Sequence, residues 1–331
     1  MGMIAIVGAI GTDARLLWAE PTVWARARNP GLASTLDALD YVESAMLEYE
    51  RIQDEKPENQ PRDKGKSYVL AARKVMEEKI QAADSADPMI RYRYAQVLYE
   101  LRDYRKALDL YASVARSPNL GAPFRASALS ALGTCYAHVE KRNEEIAAYT
   151  EALQLTMYGA SRANLLANRA EAYMATGDLD SAVRGYREAL SALSSLHPLE
   201  MIFYGVTPLW GLGVALDRTG DLEGALQSIR LARQYDPNDR QLRRPTWFFA
   251  PPHDEAWYWA LGAWERARRD SEDKSPRAHA YLDAIDAWRR YIENAPDNDP
   301  YKALAEARLS ACEKESRKAA QQSPGLKAPN K

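Results

Sequence analysis

Residues 163–196 read ANLLANRAEAYMATGDLDSAVRGYREALSALSSL. Leu166, Arg169, Ala170 and Tyr173 fall on one stripe of a first helix, and Ala182, Tyr186 and Ala189 on one stripe of a second. Steps of three and four residues favour helix over strand. Gly177-Asp178-Leu179 makes the turn, because glycine can take the left-handed conformation that ends a helix. The steric logic predicts a tight antiparallel pair. Ala170 and Ala182 allow close approach, and Tyr186 fills the gap toward whatever helix follows.

The same frame recurs on both sides. Residues 88–119 carry Ala95, Leu98, Asp103-Tyr104, Ala107 and Tyr111. Residues 126–159 carry Leu129, Leu132-Gly133, Tyr136, Tyr149 and Ala152, with Glu145 where an alanine is expected. Residues 206–239 carry Leu212-Gly213, Leu216, Gly220-Asp221-Leu222, Ala225, Ala232 and Pro237, with Ile229 in place of the aromatic. A last unit, 255–296, has Trp257, Leu261-Gly262 and Trp264 in its first helix. Its second helix has Ala284, Trp288 and Tyr291, after a charged insertion at 268–277 (RRDSEDKSPR).

This frame resembles the tetratricopeptide repeat. The resemblance covers residues 88–296 and implies an all-α fold, a right-handed superhelical α-solenoid of about five helix-turn-helix units. A helical hairpin at 32–87, striped by Leu36, Leu39, Val42, Met46 and Tyr49, reads as a degenerate repeat or a cap. Residues 297–320 read as a capping helix and 321–331 as a disordered tail, since the end of an array must be covered by a more polar element. Extra segments near 120–125, 197–205 and 240–254 separate the units, as loops do in natural arrays of roughly 34-residue repeats.

Composition excludes several classes. Lys+Arg (44) and Asp+Glu (46) nearly cancel, so the chain lacks the excess basic charge of a nucleic-acid binder, and no nucleic-acid partner is expected. The arginines at 243–244, 266–269 and 289–290 form at most a local patch, diluted by Asp270, Glu272 and Asp273. Cys135 and Cys312 are isolated, and His138, His197, His253 and His279 show no ligand spacing, so no metal is expected. Gly211-Leu212-Gly213 lacks the third glycine and the preceding strand of a dinucleotide loop. No catalytic or cofactor signature appears, and the chain reads as a non-enzyme without cofactors.

The resemblance places the first helix of each unit along a concave groove. On that face stand Tyr92, Gln96 and Tyr99, then Ser130 and Thr134, then Asn164 and Glu171. Trp210, Asp217 and Arg218 follow, and Trp259, Ala263 and Arg266 close the row. Tyr, Trp and Arg dominate interface hot spots, so the expected partner is a peptide or helix of another protein, within a larger assembly. An alternative is a structural subunit of an envelope or secretion complex that uses its outer face and loops. Tyr92 and Gln96 replace the Lys and Asn of the clamp by which some family members hold chaperone tails, and Asn164 and Asn168 replace its Lys and Arg. That argues against a chaperone-tail receptor.

Residues 241–264 (QLRRPTWFFAPPHDEAWYWALGAW) hold an aromatic loop that Pro245, Pro251 and Pro252 keep from being helical. Trp247, Phe248 and Phe249 either plug the gap between units or form a second partner site. The apolar run 1–10 (MGMIAIVGAI), within a segment 1–31, reads as an extension or a weak secretory signal. It is too short to span a bilayer, which needs roughly 20 apolar residues, and no cation precedes it. A cytoplasmic location is favoured, with export as the alternative. Ala- and Arg-rich usage suggests a bacterial source.

Overall fold

A computed structural model describes residues 35–54, 65–81, 87–118, 120–156, 159–193, 200–244, 248–249, 251–269 and 274–321. Among the described residues there are thirteen α-helices and no strand. They are α1 (Thr35–Asp54), α2 (Lys66–Gln81), α3 (Pro88–Glu100), α4 (Tyr104–Ala115), α5 (Ala122–His138), α6 (Arg142–Leu155) and α7 (Gly159–Ala175). There follow α8 (Leu179–Leu193), α9 (Val206–Arg218), α10 (Leu222–Tyr235), α11 (Asp254–Arg269), α12 (Lys274–Asn294) and α13 (Lys302–Gln321). The fold is that of an all-α, tetratricopeptide-like solenoid, in which consecutive helices pack on one another. It divides into two compact units, with the boundary at Asn168–Arg169 inside α7.

One turn is repeated four times. Arg102, Glu140, Gly177 and Gly220 all have positive φ, at 62°, 59°, 83° and 98°. After each, the next residue's N–H donates five residues back: Asp103 to Leu98, Lys141 to Tyr136, Asp178 to Tyr173 and Asp221 to Leu216, at 2.8–3.0 Å. This six-to-one bond satisfies a carbonyl that the helix end would leave unpaired. Aspartate then opens the following helix in two units: Asp178 Oδ1 accepts from Ser181 N at 3.1 Å and Asp221 Oδ1 from Gly224 N at 2.9 Å.

In the first unit, α1 packs on α2 and both reach α3. Ala38, Tyr41, Val42, Ala45 and Met46 close on Val69, Ala72, Met76, Ile90 and Val97. The pairs α3–α4 and α5–α6 continue, joined by α4 against α5. Gly133 lets the Tyr149 ring lie on the backbone of α5, where a Cβ would come within 2.6 Å of it. Helix α5 begins at Ala122, earlier than the repeat frame predicts. Gly121 precedes it and Pro123 sits in its first turn, where the missing N–H costs nothing.

In the second unit, α8 packs on α9, α9 on α10, α10 on α11, α11 on α12 and α12 on α13. A π-helical turn, Met201–Gly205, leads into α9. Tyr186 packs on Gly211 and Ile229 on Gly213, so isoleucine fills the tyrosine position of the frame. Helix α11 extends to Arg269 and α12 starts at Lys274, which leaves four residues of the expected charged insertion between them. The N-terminal segment 1–34, the tail beyond Gln321 and Trp247 lie outside the described residues.

Candidate functional site

Several of the expected groove residues are interior. In the first unit Tyr92 is buried between Tyr111 and Phe124, at ring distances of 5.4 and 4.9 Å. Thr134 is buried, its hydroxyl 3.2 Å from that of Tyr149. Gln96, Tyr99, Ser130 and Asn164 are partly exposed, as is Glu171 of the second unit. The Tyr99 hydroxyl meets His138 Nε2 at 3.0 Å, and Tyr104 stacks on the imidazole at 4.0 Å. Burial drives the His138 pKa down to about 4, helped by the Arg102 and Arg142 cations, so the ring stays neutral at physiological pH.

In the second unit Trp210, Asp217 and Arg218 are buried. Trp210 lies on Gly262, with the Arg233 guanidinium 5.2 Å from its ring centre. Arg233 in turn holds Asp239 through two bonds of 2.9 Å and Glu265 through one of 3.0 Å. Asp217 accepts from Trp257 Nε1 at 3.0 Å and stands 2.8 Å from Arg308 Nε. Burial raises its pKa to about 6 against the pull of that arginine. Arg218 pairs with Asp254 and sits between the Trp257 and Tyr301 rings at 4.9 and 4.2 Å. These three side chains therefore serve packing within the unit. A helical stripe cannot reveal that, because the partners come from helices far along the chain.

Trp259 and Arg266 behave differently. Both are part-exposed and, with Ala263, line one wall of an open cleft of about 600 Å³. The other wall is the α12 stripe Asp283, Asp286, Arg289, Arg290 and Glu293. Arg266 bridges the walls, 3.7 Å from Asp239 and 3.6 Å from Asp283. Arg243 covers one face of Trp259 at 5.3 Å, and Trp259 Nε1 donates to Glu255 at 3.2 Å. Among the described residues, Arg290 and Glu293 have no ion-pair partner. The repeat frame does not single out the α12 wall, although its steps of three and four residues could have flagged it.

The arginine clusters do not make a continuous basic surface. Arg268 binds Glu223 and Glu315, and Arg289 binds Glu313 at 3.0 Å and Asp286 at 3.9 Å. Phe248 and Phe249 are half-buried, with Phe249 edge-on to Tyr258 at 5.1 Å. Among the described residues no helix is long and apolar enough to cross a membrane, and no group of His, Cys, Asp or Glu could hold a metal ion.

Residues 163–192 match the tetratricopeptide repeat family. Among solved structures the chain is similar to BtubC (BKLC) from P. vanneervenii, at 18% identity and a TM-score of 0.51, covering 69% of this chain and 93% of that one. It is also similar to YrrB, a TPR protein with an unusual peptide-binding site, at 15% identity and a TM-score of 0.41, covering 71% and 98%. A third is TTC0263, a thermophilic TPR protein in Thermus thermophilus, at 18% identity and a TM-score of 0.41, covering 60% and 94%. At such identities the likeness to BtubC speaks to fold alone. No curated protein sequence matches the chain.

Proposed function

We propose that this chain, a tetratricopeptide-repeat protein by its match over residues 163–192, is a protein-interaction scaffold, and that a peptide or helical segment of its partner lies in the α11–α12 cleft beside Trp259. The observation that carries the reading is Trp259. Its indole is half-buried and backed by Arg243, which fixes it as an amphipathic anchor at low entropic cost. Ala263 keeps the floor low, and Arg290 and Glu293, which have no ion-pair partner among the described residues, offer a donor group and an acceptor group to a bound chain. In the first unit the counterpart residues are Gln96, Tyr99 and Ser130. No catalytic step is assigned to the chain.

The test is a Trp259→Ala, Arg290→Ala double variant, with Leu70→Ala, an exposed position on α2, as control. The cleft variant is expected to keep its helical circular dichroism and to stop retaining the partner captured from native lysate by the parent chain. Capture at the parental level would sink the cleft as the binding site.

A further inference from the structure

The cleft beside Trp259 is not electrically even. Most of its acids are answered from within the unit. Asp283 stands 3.6 Å from Arg266, and Asp286 stands 3.9 Å from Arg289. Glu255, at the edge, already accepts from Trp259 Nε1 at 3.2 Å. Among the described residues, Glu293 alone of the lining acids has no cation within ion-pair reach.

The cations are in the opposite condition. Arg290 lines the cleft, and the connection from α10 to α11 brings Arg240 and Arg243 to its edge, where Asp239 lies 3.7 Å from Arg266. All three arginines are exposed, and among the described residues none has an ion-pair partner or an acceptor for its guanidinium. Arg266 is a fourth. Its two ion pairs, at 3.6 and 3.7 Å, are too long for hydrogen bonds, and Asp239 already gives both oxygens to Arg233 at 2.9 Å. Burial and the Arg233 cation push the Arg266 pKa down. A carboxylate brought to this partly buried guanidinium would supply the acceptor it lacks, through two parallel bonds.

Exposed arginines are ordinarily just hydrated, but these surround an apolar anchor. Arg243 is stacked over the Trp259 ring at 5.3 Å, which fixes its plane and turns its edge donors outward. Arg290 stands on the opposite wall. Along α12, Asp283 beside Arg266 and Arg290 are separated by about 10 Å of helix, and Ala263 leaves the floor between them open. A polyanion fits less well, because Asp283, Asp286 and Glu293 in the same cleft repel every added negative charge.

On the reading that the cleft is the binding site, we propose that its occupant is an acidic linear peptide, whose Asp or Glu carboxylates meet Arg266 and Arg290 while an apolar side chain between them lies on Trp259. Arg240 and Arg243 at the edge speed its approach.

An unbiased random-peptide display library, panned in parallel against the full parent chain and against Trp259→Ala, tests this. Sequences enriched on the parent alone should carry Asp or Glu flanking an apolar residue. One such peptide, synthesised with a fluorescent label, should lose about tenfold in affinity against Arg266→Gln and against Arg290→Gln, the worth of a hydrogen bond to a charged group. Its affinity should also fall as salt rises. Exchanging its acids for glutamine should weaken binding to the parent and change nothing further on the double arginine variant.

Enriched sequences that are neutral or basic overturn the acidic occupant and leave the cleft standing. So do acidic sequences that bind both arginine variants as tightly as the parent. Arg290 is exposed, so its variant keeps the test valid should Arg266→Gln disturb folding. Tighter binding after replacing the peptide's acids by phosphoserine overturns the choice of carboxylate. Equal enrichment on the parent and on Trp259→Ala, or none on either, removes the cleft itself as the binding site, and the acidic occupant with it.

Discussion

The Tyr186 ring lies directly on the α-carbon of Gly211: a Cβ at that position would come within 2.3 Å of Tyr186 Cζ. The two residues belong to successive hairpins, so this contact sets how closely α8 approaches α9. Gly213 and Ile229 repeat the arrangement within the α9–α10 pair. Gly211→Ala should lower stability by about 1–3 kcal/mol, the usual cost of overfilling a packed core. Equilibrium urea unfolding checks this, and Tyr186→Leu in the same chain should recover part of the loss.

Glu145 stands where the other hairpins place a buried alanine, and it is itself buried beside Arg142 at 2.8 Å. Burial lifts its pKa to about 7, outweighing the arginine. An acid whose pKa is raised on folding costs nothing below its unfolded value of 4.5, and the cost grows until pH passes 7. Glu145→Gln should therefore change stability little at pH 4 and raise it by up to about 3 kcal/mol at pH 8. Thermal melts across that range would show a gain that grows with pH; a constant offset would contradict the assignment.

Glu140 and Arg102 hold left-handed conformations without being glycine, at φ 59° and 62°. The same turn elsewhere uses Gly177 and Gly220. The steric cost for a residue with a Cβ is about 1–2 kcal/mol, part of which glycine gives back in chain entropy. Glu140→Gly should stabilise the first unit by about 1 kcal/mol, while Gly220→Ala should destabilise the second by a similar amount. Denaturant midpoints at unchanged slope would verify both.

Arg233 neutralises two buried carboxylates, Asp239 and Glu265, and covers Trp210. Removing it leaves Asp239 with Arg266 at 3.7 Å and Glu265 with the half-exposed Arg230 at 3.1 Å, and takes away the one cation that is buried with them. Arg233→Ala should cost about 3–5 kcal/mol, the range for breaking a buried pair by deleting one partner. Replacing Arg233, Asp239 and Glu265 together with apolar residues of similar size should cost much less. Chemical unfolding of the single and triple variants separates the two outcomes.

The hairpins are legible in the sequence because their causes are local. Gly177-Asp178 and Gly220-Asp221 announce a turn, and Ala182 and Ala225 announce close approach, each within a few residues of the structure it makes. The turns at Arg102 and Glu140 have the same geometry without a glycine, and the frame of neighbouring residues identifies them instead. The binding face is only half legible. Trp210 and Trp259 both sit on first helices of the frame, yet one is buried on Gly262 and the other lines an open cleft.

The sequence by itself thus determined the helical class, the hairpin unit and the absence of paired cysteines and histidine ligand spacing, since periodicity and turn chemistry act over a handful of residues. Tertiary structure alone decided which aromatic and charged side chains are free to meet a partner. Asp217 is interior because Arg308 arrives from 91 residues further on, and Glu315 is held because Arg268 and Trp264 arrive from about 50 residues before it. A side chain's exposure depends on what packs over it, and helices distant in sequence supply that cover.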